Sequence, residues 1–266
     1  MNITTEEREI ANELIEKFLK HKNSLPYANI GLENEYLGWV EDFHLIDHND
    51  NKLKLDLNDN NDLFLLFVLA VVWSRTGPWE NSAYFVSYLK INKKDTIDFW
   101  TNKSNIEKEE ENREQSAINI SDQLKGINPR KKISFRKDVF FSIHLLAKNW
   151  SQILDKLDES EKANNFEIFM EFIRSINGLG VGQKKILIKI PLILRELRCQ
   201  KIYSNISGEF CCVPDARVNE AGKSLNIKIP VTSNLDNLKK SSAKIFRLFG
   251  NLYDLPLFAY EDLKNI

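Results

Sequence analysis

The sequence predicts a mainly α protein. Three observations carry that expectation: an amphipathic pattern at the N-terminus, an almost unbroken succession of helix-spaced apolar segments after residue 62, and a scarcity of strand-like alternation. Residues 5–22 (TEEREIANELIEKFLKHK) open after Thr4 with acids in the first turn and carry Ile10, Leu14, Ile15 and Phe18 at helical spacing. Residues 23–61 hold Pro26, Gly31 and Gly38 and a polar stretch with weak alternation at Leu53, Leu55 and Leu57, which predicts loop with one short hairpin. Helices are then expected over 63–75, 80–89, 96–100, 106–124 and 135–147. Further helices are expected over 150–157, 163–175, 183–197, 214–225, 235–249 and 257–263. The organisation expected is an N-terminal helix and loop-rich extension over 1–61, followed by a helical domain over 62–266.

Composition bounds the function. Hydrophobic residues make up 42% of 266, enough for a substantial core. Lys plus Arg is 37 against 38 for Asp plus Glu, so any surface for a polyanion must be a local patch. The longest apolar run, residues 63–73 (LFLLFVLAVVW), falls short of the roughly 20 residues that cross a bilayer and reads as a buried helix. The polar, acidic first residues argue against a leader, and no membrane partner is expected. Cys199, Cys211 and Cys212 form neither a disulfide framework nor a metal pattern, so a reducing, cytoplasmic home is the default expectation; no metal and no cofactor are expected. The charged run IEKEEENREQ at 106–115 reads as a solvated helix face.

Chemistry concentrates between residues 172 and 225. A helix ending near Ile176 meets Asn177, Gly178, Gly180 and Gly182, and a second helix starts near Gln183. A turn so rich in glycine lets backbone approach a partner closely, and the outward N–H groups of the following helix suit a phosphate; a plain helix–helix connection is the alternative. Lys184 falls in the first turn of that helix, where the dipole disfavours positive charge and favours the neutral, nucleophilic amine. Its neighbour Lys185 is the alternative substrate-facing group, or the one that holds a phosphate. Asp215, in VPDARV, stands at the start of another helix, as an ordinary cap or as a carboxylate able to accept a proton and stabilise a cationic sugar.

In combination, GLGVGQK with Lys184 and VPDARV with Asp215 resemble the helix-hairpin-helix DNA glycosylase superfamily, with the hairpin at about 166–198. The two motifs occur in the family's order. Their separation of 31 residues is closest to the archaeal 8-oxoguanine glycosylase branch, which AVVWSRTGPWENSAYFVSYL at 70–89 also resembles. The likeness covers about residues 63–227. It implies a cleft between two helical subdomains, Lys184 as Schiff-base nucleophile, Asp215 as its catalytic partner, and Gly178, Gly180, Gly182 and Lys185 on the DNA backbone. The branch's stacking aromatic aligns near Ser82 or Ala83, with Trp79 one turn away. Its C-terminal recognition residues align with Tyr260, Glu261 and Asp262, and the four-cysteine iron–sulfur pattern of other branches is absent. Trp79, Tyr84 and Tyr260 are thus the aromatic candidates for an extruded-base pocket.

The expected activity is that of a DNA N-glycosylase and abasic-site lyase acting as a monomer on double-stranded DNA with a damaged or modified base, 8-oxoguanine first by resemblance. A monofunctional glycosylase for another modified base and a non-catalytic helix-hairpin-helix DNA-binding protein are the alternatives. Basic clusters at Arg130, Lys131, Lys132, Arg136 and Lys137, and at Lys239 and Lys240, permit DNA contact.

Overall fold

The computed structural model describes residues 2–25, 45–46, 52–76, 79–123, 135–136, 138–179, 184–230 and 234–266. Along the chain come α1 (Thr5–His21), β1 (Leu45–Ile46), β2 (Lys52–Leu53), α2 (Asn60–Thr76), α3 (Trp79–Ile91), α4 (Ile97–Thr101), α5 (Lys103–Glu111) and α6 (Arg113–Gln123). They are followed by α7 (Val139–Lys148), α8 (Trp150–Lys162), α9 (Glu167–Ser175), α10 (Lys184–Cys199), α11 (Ala216–Ser224), α12 (Leu235–Phe249), α13 (Leu255–Phe258) and α14 (Tyr260–Lys264). The mainly α expectation holds. Among the described residues the β-strands form one two-residue antiparallel ladder pairing Leu45 with Leu53 and Ile46 with Lys52. Also among them, no helix is long and apolar enough to cross a membrane.

The chain forms two compact units. A middle unit holds Trp39–Ser160 and Glu167–Ile186, and a terminal unit holds Met1–Gly38, Glu161–Phe166 and Leu187–Ile266.

In the middle unit α2 is apolar on every face, and each of residues 64–72 is at most 2% exposed. A helix without a polar side must be enclosed, and α3 and α7 pack against it. Asp59 starts α2 by accepting the N–H groups of Asn61 and Asp62 at 2.9 and 3.0 Å. Trp100 of α4 is fully buried and stacks on Phe140 of α7, with centroids 6.1 Å apart and planes 18° from parallel. Its indole N–H donates to the Lys94 carbonyl at 2.8 Å, which meets the polar need of a buried indole. The charged run divides into α5 and α6 at Asn112, the C-cap of α5. Most of it faces solvent, but Glu109 turns inward to the Lys94 ammonium at 2.6 Å.

The terminal unit starts with a capping box, in which the Glu7 N–H donates to Thr4 Oγ1 and the Thr4 N–H to Glu7 Oε2. The buried stripe of α1 is Glu7, Ala11, Leu14 and Phe18, and Ile10 and Ile15 are only half-buried. Apolar spacing alone misplaced that face because an acid belongs to it. Glu7 Oε1 accepts from Lys244 Nζ of α12 at 2.5 Å and from the Lys228 N–H at 3.0 Å. Burial works against its charge, but the Lys244 ammonium and the two backbone N–H donors prevail and hold the carboxyl below the usual range.

Candidate active site

The Gly-rich turn after α9 is described as far as Leu179. Helix α9 ends at Ser175, Leu179 is fully buried, and Gly178 takes φ of +90°. Only glycine adopts that conformation without strain, and a Cβ there would also lie 2.6 Å from Leu145 Cδ1 of α7. Gly178 therefore serves the packing of the turn on α7. Gly180 and Gly182 lie outside the described residues, as do the side chains of Lys184 and Lys185. The backbone places Lys184 as the first residue of α10, in the first turn as its sequence predicts.

Asp215 is described in full. It is the N-cap of α11, with extended backbone, and its Oδ1 accepts the Val218 N–H at 3.2 Å. The expected helix start is thus present, one residue after Pro214. Oδ2 of the same carboxylate receives Nζ of Lys189, from the second turn of α10, at 3.2 Å. Both carboxylate oxygens are thereby oriented, and the side chain keeps 23% of its surface exposed.

The segment leading to Asp215 belongs to no helix or sheet, so its backbone groups need other partners. Buried side chains supply them. The Cys212 N–H donates to Ser242 Oγ at 3.0 Å, and the Ser242 hydroxyl donates to the Glu209 carbonyl at 2.6 Å. The Val213 N–H donates to Asp254 Oδ1 at 2.9 Å. Pro214, whose ring fixes φ, is spanned by a bond from the Asp215 N–H to the Val213 carbonyl at 2.8 Å, an inverse γ-turn. Asn219 Nδ2 then clamps the carbonyls of Pro214 and Asp215 at 2.8 Å each.

Behind this segment lies a buried ion pair. Arg195 of α10 and Asp254, which precedes α13, are 0% and 3% exposed and meet at 3.2 Å. Desolvation pushes the Asp254 carboxyl above its ordinary range, opposed by the Arg195 guanidinium and the Val213 N–H. Lys189 shares the enclosure at 13% exposure, and desolvation lowers its pKa against the opposing attraction of Asp215 and Asp254. Sequence reasoning missed Lys189, although a signal existed. It is the one charged residue in ILIKIPLIL at 186–194, and a cation inside an apolar run needs a buried counter-charge.

The side chain of Trp79 lies outside the described residues, Tyr84 is half-buried on α3, and Tyr260 opens α14 with the Lys264 ammonium 4.3 Å from its ring centre. Ser82 and Ala83 are buried at 0% and 2%, so neither offers a stacking surface. Asp262 and Glu261 are held by Arg217 at 2.5 Å and Lys264 at 2.8 Å. Of the basic clusters, residues 130–132 and Lys137 lie outside the described residues, Arg136 stands 3.7 Å from Asp138, and Lys239 pairs with Asp236 at 3.3 Å. Asn219 also lines a cavity of about 550 Å³ with Lys223, Asn226 and Lys228.

The cysteines behave as small apolar groups. Cys211 and Cys212 are fully buried, and desolvation pushes the Cys211 thiol up to about 12 and the Cys199 and Cys212 thiols upward as well. Among the described residues no group of His, Cys, Asp or Glu is placed to hold a metal ion. No protein-family model, curated protein or solved structure matches the chain.

Proposed function

We propose that the protein is a DNA base-excision glycosylase with an associated abasic-site lyase activity, in which Lys184 is the nucleophile and Asp215 its catalytic partner. The observation that carries this assignment is the immobilised carboxylate of Asp215. An ordinary N-cap needs one hydrogen bond and contributes about 1 kcal/mol. Asp215 has in addition a buried scaffold under its backbone and a cation on its second oxygen. A carboxylate held this firmly and still partly exposed suits a site where positive charge develops.

In the proposed reaction a nucleotide is turned out of the duplex and the neutral Lys184 amine attacks the sugar C1′. The C–N bond to the base breaks as the new C–N bond forms, and the departing base takes up a proton. Asp215 stabilises the positive charge on the sugar through that step. Ring opening gives an imine, whose acidified C2′ proton is lost as the 3′ phosphate leaves. The first turn of α10 and Lys185 would hold the DNA backbone, the mode that suits a helix N-terminus. Double-stranded DNA with an altered base is the proposed partner, 8-oxoguanine being the first to try.

Borohydride trapping on duplexes with a single abasic site or a single 8-oxoguanine tests the assignment. A covalent protein–DNA adduct that disappears in Lys184→Gln is expected. Asp215→Asn, which keeps a cap acceptor, is expected to slow base release by about 10²–10³-fold. Base release without an adduct would indicate water as nucleophile. Salt-sensitive binding that is indifferent to Asp215→Asn, with no product from any lesion, would indicate a non-catalytic DNA-binding protein.

A further inference from the structure

From the geometry around Asp215 we infer that Lys189 is a positioning residue of the active site, a counter-charge that holds the Asp215 carboxylate aimed. The inference rests on the glycosylase assignment. Oδ1 of Asp215 is committed to the Val218 N–H and Oδ2 to Lys189 Nζ, both at 3.2 Å. A carboxylate with both oxygens met by donors is a well-oriented anion. Asp215 therefore acts on the sugar by its charge, as an electrostatic partner.

The surroundings of Lys189 support a fixed role. The side chain is 13% exposed, and the charged groups that act on it include Asp215, Asp254 and Arg195. Arg195 and Asp254 neutralise each other at 3.2 Å, which leaves Lys189 and Asp215 as the second pair of the enclosure. Their separation along the chain explains the arrangement: Lys189 and Arg195 both project from α10, and Asp254 holds the Val213 N–H two residues before Asp215. One helix thus sets the charge of the site and also the backbone that carries it. Burial lowers the Lys189 pKa, so on the alkaline side this ammonium is lost earlier than that of an ordinary lysine.

Three readouts on the full-length protein, with the abasic-site and 8-oxoguanine duplexes, test the role. Lys189→Met should lower base release by about tenfold or more, because the cation that aims the carboxylate is gone. Lys189→Arg, which keeps the charge at all accessible pH, should recover most of the rate and extend the alkaline limb. Both variants should still give the borohydride adduct on Lys184. An active parent whose Lys189→Met variant matches it in rate and pH profile overturns the positioning role and leaves the glycosylase assignment standing. An adduct lost in both Lys189 variants and retained in Lys184→Gln overturns it differently, by making Lys189 the nucleophile. A parent that forms no adduct and releases no base overturns the glycosylase assignment and the role with it. Should Lys189→Met fail to fold, Lys189→Arg alone decides through the alkaline limb, which an uninvolved residue would leave unmoved.

Discussion

The two compact units are held together by different means. In the middle unit the most deeply enclosed groups are rings and aliphatic chains: α2 surrounded by apolar neighbours, Trp100 on Phe140, and Trp150 edge-on to Phe64 and Phe67 with centroids 5.3 and 5.2 Å away. Its inward ion pairs, Lys90 with Asp62 and Lys94 with Glu109, stay partly exposed. The terminal unit encloses charges more deeply. Glu7 with Lys244 and Arg195 with Asp254 are each at most 6% exposed, and Lys189 with Asp215 lies only a little nearer to solvent. Apolar contacts are non-directional, whereas a buried ion pair depends on where its partner stands, because a displaced charge loses that partner without regaining water. The difference teaches where position matters in this molecule. Two of these pairs, Arg195 with Asp254 and Lys189 with Asp215, adjoin one irregular segment that ends in a carboxylate.

Breaking each unit should therefore leave a different signature in thermal unfolding. Trp100→Ala, which empties the largest side chain from the middle core, is expected to cost about 4 kcal/mol, by an equal amount at pH 5 and pH 7. Arg195→Met should cost about 3 kcal/mol at pH 7, since Asp254 is left buried and uncompensated. Its pH dependence has a definite sign. The Asp254 carboxyl is raised in the folded state, so its burial costs stability above the ordinary carboxylate range and that cost lifts as the acid takes up its proton. The Arg195→Met deficit should accordingly shrink toward pH 4, and a deficit constant with pH would refute the account of a buried charge.

Lys244→Met should cost about 2–3 kcal/mol at pH 7 by stranding Glu7. Glu7 is depressed in the folded state, so its contribution is complete above the ordinary glutamate value of about 4.3 and is lost as pH falls through the folded value. Parent and variant should converge in that lower window, measurable by denaturant titration at stepped pH. Gly178→Ala should cost about 1–2 kcal/mol from its positive φ, and pairing it with Leu145→Ala should relieve the contact at 2.6 Å without relieving the backbone strain. The smallest effect belongs to Asp215→Asn, expected to cost about 1 kcal/mol, because asparagine also caps but takes the Asp215 charge away from the largely buried Lys189 ammonium. That variant separates function from folding, since its proposed loss is mainly in base release.

What the sequence by itself determined was local. Helix spacing announced α2, α7, α9, α10 and α12 to within a few residues, since a 3.6-residue apolar period has few other uses. Asp215 was legible as a helix start and Lys184 as a first-turn lysine, because caps and turns depend on neighbours in the chain. The tertiary structure alone decided the rest. Glu7 lies on the buried face of α1 because Lys244 comes to it from the far end of the chain. Lys189 becomes a partner of Asp215, and Asp254 the support of Val213, through contacts across 26 and 41 residues. A charge inside an apolar run shows that a partner must exist, and no periodicity says which residue it is. Folding brings it there, and the cost of a buried unpaired charge makes that choice definite.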